Sequence, residues 1–238
     1  MTEKSSISIF DENFREIEAN ITAAAESVGK KRDDIILLAA TKTVSSEVIN
    51  HAMKQGISYI GENRVQEFLS KENDLLNIAH RHFIGHLQTN KVKDIVGKVE
   101  MIQSVHSVKL ANAIGKISTE KGICTDILLE VNIGNEENKS GFSKFELDEA
   151  VDIISKIEGV KVRGLMTIPP ICEKTTEIIP FFEEMYKLFI DNSHKKIDNV
   201  SMDYLSMGMS SDYVEAIKCG SNLVRIGTSL FGKRNYNI

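Results

Sequence analysis

The residue best placed for covalent chemistry in this sequence is Lys42, in the segment LLAATKTVSS. It follows an apolar run that reads as a buried β-strand, and an amine at the end of such a strand is partly desolvated. Desolvation disfavours the ammonium, lowers its pKa and frees the amine as a nucleophile. A lysine in that place can also snorkel to solvent, so position alone leaves both readings open. Two further segments supply a complementary chemistry. Ser206-Met207-Gly208-Met209-Ser210-Ser211 and Gly227-Thr228-Ser229 combine glycines, hydroxyls and predicted helix starts. Glycine lets the backbone approach an anion and exposed amides donate to it, so the pair reads as a phosphate cup, although serines there can also be plain N-caps. Arg225 lies two residues before Gly227, so strand alternation puts both on one face and points the arginine inward. A buried arginine needs a ligand or an ion pair within the protein. His82 reads as a packed imidazole and His86 as a ligand contact past a strand end. A metal is excluded, because His80, His82, His86 and His106 do not pair with carboxylates at a ligand-like spacing.

Eight β-favouring runs hold these residues: Ile35 to Ala40, Ser58 to Ile60, His82 to Ile84, Met101 to Ser104, Asp126 to Asn132, Val162 to Thr167, Met202 to Ser206 and Leu223 to Ile226. Between them apolar residues recur at helical spacing, as in Val48, Ile49, Ala52 and Met53, or Leu110, Ala113, Ile114 and Ile117. Runs such as DILLEVNI are apolar nearly throughout, as expected of parallel strands buried on both faces. Eight strand-helix units predict an α/β fold with a single closed (β/α)8, TIM-like barrel. An open doubly wound sheet fits the alternation almost as well, but its first turn is usually glycine-rich, and here that turn reads ATKTVS. An extra helix carrying Phe14, Ile17, Ile21, Ala24 and Val28 precedes the first strand and is expected to cover the barrel bottom. No linker or second composition appears, so residues 1–238 are read as one domain. In such a barrel the site forms where strands end. That filter selects Lys42, Glu62, Asn63, His86, Gln88, Asn132, Met166, Thr167 and the two phosphate segments.

The 238 residues are 42% hydrophobic and 26% charged with a net charge of −5, an ordinary globular composition that argues against nonspecific nucleic-acid binding. Cys124, Cys172 and Cys219 are odd in number and far apart, which suits free thiols in a reducing compartment. The start MTEKSSISIFDENF has no apolar signal region, and no run is long and apolar enough for a membrane helix. A cytoplasmic location is expected.

On these residues the chain resembles the pyridoxal 5′-phosphate (PLP) homeostasis proteins, the YggS-like or proline synthetase co-transcribed family of PLP-binding barrels. The resemblance runs through LLAATKTVSSEVI, YIGENRVQEF, HFIGHLQTNKVKDIV, ILLEVNIGNEENKSGF, VRGLMTI, LSMGMSSDYVEAI and RIGTSLFGKRNY, most of the chain in the family's order. It implies a barrel related to the N-terminal domain of alanine racemase, with PLP held as a Schiff base on Lys42. Ser210 with its neighbours Ser206, Gly208 and Met209, together with Gly227 and Thr228, would cup the phosphate. Arg225 would face the pyridine nitrogen, and Asn63, His86 and Met166 would line the site. None of these positions departs from the family's pattern, and Tyr204, in NVSMDYLSMGMS, stands where family members vary.

The resemblance further implies a non-catalytic protein that binds PLP and supplies PLP-dependent apoenzymes; the chain has no room for the C-terminal β-domain of the related racemases and decarboxylases, which removes one dimerisation surface, so a monomer is expected. The physical reason for the lack of turnover is that an arginine at the pyridine nitrogen leaves it unprotonated and weakens the ring as an electron sink. Two alternatives stand beside this reading. One is a weak PLP-dependent racemase or lyase with His86 or Tyr204 as the second acid or base. The other is a cofactor-free sugar-phosphate aldolase working through Lys42.

Overall fold

The computed structural model describes residues 3–232; the KRNY end of the last motif, 233–236, lies outside the described residues. Helix α1 (Glu3–Ser27) leads into β1 (Ile36–Ala40), and strands and helices then alternate: α2 (Ser46–Lys54), β2 (Tyr59–Glu62), α3 (Val65–Lys71), β3 (His80–Phe83), α4 (Val92–Ile95) and β4 (Met101–Val105). The order continues with α5 (Val108–Glu120), β5 (Thr125–Val131), α6 (Leu147–Ile154), β6 (Val160–Thr167), α7 (Thr175–Ser193), β7 (Val200–Ser206), α8 (Tyr213–Lys218), β8 (Leu223–Ile226) and α9 (Thr228–Phe231). All neighbouring strands are parallel, and β8 pairs with β1 to close the barrel. That closure decides against the open sheet. Each expected strand is present, with ends moved by a few residues; β3 begins at His80 rather than His82.

Alternation along the strands separates two apolar layers. Leu38, Ala40, Ile84 and Leu223, with Met101, Leu128 and Met166, face the barrel axis. Their neighbours in sequence, including Leu37, Ala39, Ile60, Phe83, Ile102, Ile127, Leu129 and Leu165, pack outward under the helices. Burying each of the larger of these side chains contributes about 1.5–3 kcal/mol, so the strand pattern itself drives closure. Helix starts are fixed locally: Ser45 Oγ accepts from the Val48 amide, and Ser107 Oγ from the Leu110 amide. Gly164 has φ +149°, and a Cβ there would stand 1.9 Å from the Tyr204 carbonyl oxygen, so only glycine lets β6 and β7 approach at this bulge.

The expected place of α1 needs correction. Instead of lying across the barrel bottom it runs along the flank, against α2, α8 and α9. Phe10, Ile17, Ile21, Ala24 and Ala25 form a stripe that seats in the apolar groove these helices leave with Ile49, Met53, Ile217 and Leu230, while Val28 is exposed. Arg163 bridges Asp126 and Asp203, with its guanidinium over the Tyr204 ring at 5.4 Å.

Candidate functional site

The C-terminal ends of the strands bring the predicted residues to one mouth. Lys42 leaves β1 two residues past its end and is half-buried between buried Thr41 and exposed Thr43. In the β1–β8 register Leu38 pairs with Arg225 and Ala39 with Ile226. Lys42 and the Gly227–Thr228–Ser229 turn therefore emerge side by side. Here the amides of Gly227 and Ser229 converge on the Ser210 hydroxyl oxygen at 3.3 and 3.2 Å, and Ser229 Oγ donates to the Ser210 carbonyl at 3.1 Å. The 206–211 loop is held open by Asp212, whose Oδ1 accepts from the Met209 amide at 2.6 Å. Burial raises the Asp212 carboxyl pKa, against its hydrogen bonds from Met209 and Ser211 and the field of Arg225.

Arg225 is buried in the barrel interior and hydrogen-bonded in two directions. Its guanidinium donates to Ser206 Oγ at 2.6 Å and to the Thr167 carbonyl at 2.8 Å. The chain of bonds then crosses the barrel: Ser206 Oγ donates to Gln103 Oε1 at 2.7 Å, and Gln103 Nε2 meets His82 Nδ1 at 2.8 Å. With the Gln103 amide oriented so that Oε1 accepts from Ser206, its Nε2 donates and His82 Nδ1 is the acceptor. His82 must then be neutral. Burial, helped by the field of His80, lowers its pKa to about 3, in agreement. Burial likewise lowers Arg225, to about 10, against the fields of Glu130 and Asp212, which leaves it a cation near neutral pH. Glu130, on the inward face of β5, has its pKa raised by burial and opposed by Arg225 and His86.

The relay predicts an acid sensitivity. The unfolded chain protonates His82 near 6.5, whereas the folded chain holds it neutral to about 3, so stability falls as pH drops through that window. The full loss is on the order of 5 kcal/mol. His82→Asn offers Oδ1 where Nδ1 stood and keeps the bond from Gln103. Denaturation midpoints at about pH 7 and about pH 4 should then differ less in the variant than in the parent; an equal difference would refute the neutral assignment.

The remaining predicted residues divide. Asn63 sits just past β2, half-buried, with Oδ1 buried and lacking a hydrogen-bond partner. Its carbonyl is approached so closely by Gly85 that a Cβ there would stand 1.9 Å away. His86 is exposed at the mouth, stacked on His106 with centroids 4.5 Å apart and with Nδ1 3.2 Å from Ser140 Oγ. Met166 is buried against Met101, Leu128 and Tyr204. Gly208 is buried with φ +94°, and its carbonyl accepts from the Arg225 amide. Thr228 is exposed. Ser206 is committed to Arg225 and Gln103. Asn132 organises its own loop, bonding the Glu136 amide and carbonyl. Tyr204 lies deeper in the barrel over Arg163, away from the mouth. Sequence reasoning missed Gln103, Glu130, Asp212 and His106. The available signal was a polar residue at an inward position of an apolar strand, as in MIQSV and DILLEV. Among the described residues no cluster could hold a metal ion, and no helix is long and apolar enough to cross a membrane.

Residues 13–235 match the family model of the alanine racemase N-terminal domain. A pyridoxal phosphate homeostasis protein of Aquifex aeolicus (strain VF5) is 42% identical over 226 residues, 94% of this chain and 98% of that protein. The crystal structure of an unknown protein from Bifidobacterium adolescentis is similar with a TM-score of 0.92 at 31% identity, covering 97% of this chain and 98% of its own. PipY of Synechococcus elongatus PCC7942, solved with PLP bound, is similar with a TM-score of 0.78 at 29% identity, covering 89% of this chain and 100% of PipY.

Proposed function

Since the chain belongs to the pyridoxal phosphate homeostasis protein family, on the alanine racemase N-terminal domain fold, we propose that it binds PLP covalently through Lys42 and serves PLP homeostasis without efficient turnover. The observation that carries this reading is the side-by-side emergence of Lys42 and of the Gly227 and Ser229 amides that converge on Ser210, above the fixed Arg225.

The donor set suits the group. A phosphate needs hydroxyl and amide donors, and the hydroxyls of Ser210 and Thr228 with the Gly227 and Ser229 amides offer them at one end of the mouth, while the Met209 amide is taken by Asp212. A phenolic pyridine needs polar partners on an otherwise apolar floor; Asn63 has an unpartnered buried amide oxygen, His86 stands at the rim, and Met166 lies below. Ser206 would act through Arg225 instead of touching the phosphate. Bound PLP supplies an aldehyde that condenses with an amine and a ring that can accept electrons. Lys42 provides the amine. The Arg225 guanidinium has donors and no acceptor, and its bonds to Ser206 and the Thr167 carbonyl hold it in place, so a ring nitrogen facing it has to accept. That favours holding over carbanion chemistry. Tyr204, deep over Arg163, is poorly placed as a second acid or base.

The wider reading is of one domain spanning 1–238, a monomer in the reducing cytoplasm with Cys124, Cys172 and Cys219 as free thiols, passing PLP to PLP-dependent apoenzymes. The test is to titrate the protein with PLP, follow visible absorbance, reduce with borohydride and map the peptides. A phosphopyridoxyl mass on the Lys42 peptide is expected. Protein that takes up no PLP would overturn the reading, and steady accumulation of D-amino acid above that of free PLP would replace it with a weak racemase.

A further inference from the structure

We propose that Lys71, with Glu62 and Glu67, is a positioning cluster that fixes the backbone on both sides of Lys42 and so aims its amine; this rests on Lys42 being the covalent site. Lys71 ends α3, where a lysine ordinarily lies in solvent. Here its side chain is only 12% exposed and turns under the β1 loop. Its Nζ donates to the Thr41 carbonyl at 3.1 Å, to Glu62 Oε1 at 3.2 Å and to Glu67 Oε1 at 2.6 Å. The same Glu67 oxygen accepts from the Thr43 amide, and Glu62 Oε1 accepts from Thr41 Oγ1 at 2.7 Å.

The two peptide units held in this way are the ones that bound Lys42. The Thr41 carbonyl belongs to the peptide preceding its Cα, and the Thr43 amide to the peptide following it. Fixing both planes fixes φ and ψ of Lys42, and with them the direction in which its side chain leaves the backbone. The cluster also explains the conformation after it. Thr43 has φ +65°, a left-handed geometry that a β-branched residue rarely adopts unless its surroundings impose it. The Glu67 carboxylate on its amide is one such constraint.

Optimal packing of an ion pair does not account for the arrangement. Glu62 is nearly fully buried, yet its Oε2 has no hydrogen-bond partner, and burial raises its pKa in spite of Lys71. A carboxylate kept there at a desolvation penalty is better explained by what Oε1 holds, namely Thr41 and Lys71.

The test compares Lys71→Met, Glu67→Ala and Glu67→Gln with the parent. Each is assayed for the rate of borohydride-trappable PLP uptake, for affinity toward pyridoxamine 5′-phosphate, and for amide hydrogen exchange of residues 41–44 without ligand. Pyridoxamine 5′-phosphate has an amine in place of the aldehyde, so it reports the phosphate and ring contacts alone. Lys71→Met and Glu67→Ala should exchange faster at 41–44 and take up PLP about tenfold more slowly or worse, with pyridoxamine 5′-phosphate affinity little changed. Glu67→Gln keeps an oxygen for the Thr43 amide and should restore uptake. Unchanged uptake in Glu67→Ala, or equal loss of pyridoxamine 5′-phosphate binding, would overturn the positioning role. Should Lys71→Met fail to fold, the Glu67 pair decides. A parent protein with no adduct on Lys42 would instead overturn the reading of the site itself.

Discussion

Lys42→Ala protein is expected to remain colourless with PLP and to yield no borohydride-trapped adduct, while still binding the cofactor weakly through its phosphate. The separation follows from geometry. Lys42 lies on the β1 loop, whereas Ser210, Gly227 and Ser229 converge from the β7 and β8 loops, so removing the amine leaves the phosphate partners intact. Hydrogen bonds to a charged phosphate contribute about 1.5–3 kcal/mol each, which for two or three of them corresponds to roughly micromolar to millimolar binding. Folding should hardly change, because Lys42 is half-buried at a loop and such substitutions shift stability by less than about 1 kcal/mol. Equilibrium dialysis with radiolabelled PLP, set beside absorbance, measures both quantities. An undiminished trapped adduct in Lys42→Ala would assign the covalent site to another lysine.

The barrel was legible because its signal repeats. Eight apolar runs such as ILLAA and DILLEV, separated by helical stripes, leave little choice once the first turn lacks glycine, and the β8–β1 pairing is the closure they imply. The placement of Lys42, Ser210, Gly227 and Arg225 at the mouth was legible because they sit at or near strand ends, where sequence position maps directly onto that end of the barrel. Three features were not legible, for distinct reasons. The seat of α1 depends on which groove its stripe fits, and Phe10, Ile17 and Ile21 would suit a barrel bottom as well as a flank. The relay from Arg225 through Ser206 and Gln103 to His82 joins four strands and needs their stagger, which alternation within one strand does not carry. The Lys71 cluster joins a helix end to a loop 30 residues away, and as sequence its lysine is an ordinary solvated one.

Arg225→Leu should be the most damaging single change at the site, and its signature should be a shift in pH dependence as well as lost stability. The guanidinium is buried and is the near countercharge to Glu130 and Asp212. Leucine removes that charge and leaves Ser206 Oγ and the Thr167 carbonyl without their donor, a loss of about 3–5 kcal/mol. Glu130 already has its pKa raised by burial with Arg225 opposing the rise, so removing the arginine raises it further. A carboxyl with a raised folded pKa contributes stability below the unfolded value of 4.5 that is lost as pH rises through the folded one. The variant should therefore be most destabilised at neutral and alkaline pH and recover partly near pH 5, and adding Glu130→Gln should flatten that dependence. Urea denaturation across about pH 5 to 8 tests it. Equal losses at every pH would mean that Glu130 does not sense Arg225, and would leave the lost hydrogen bonds as the whole effect. Binding supplies the other half of the argument: with leucine at 225 nothing donates to a ring nitrogen, so PLP uptake on Lys42 should persist while its affinity falls by the value of one charge-assisted bond, about 1.5–3 kcal/mol.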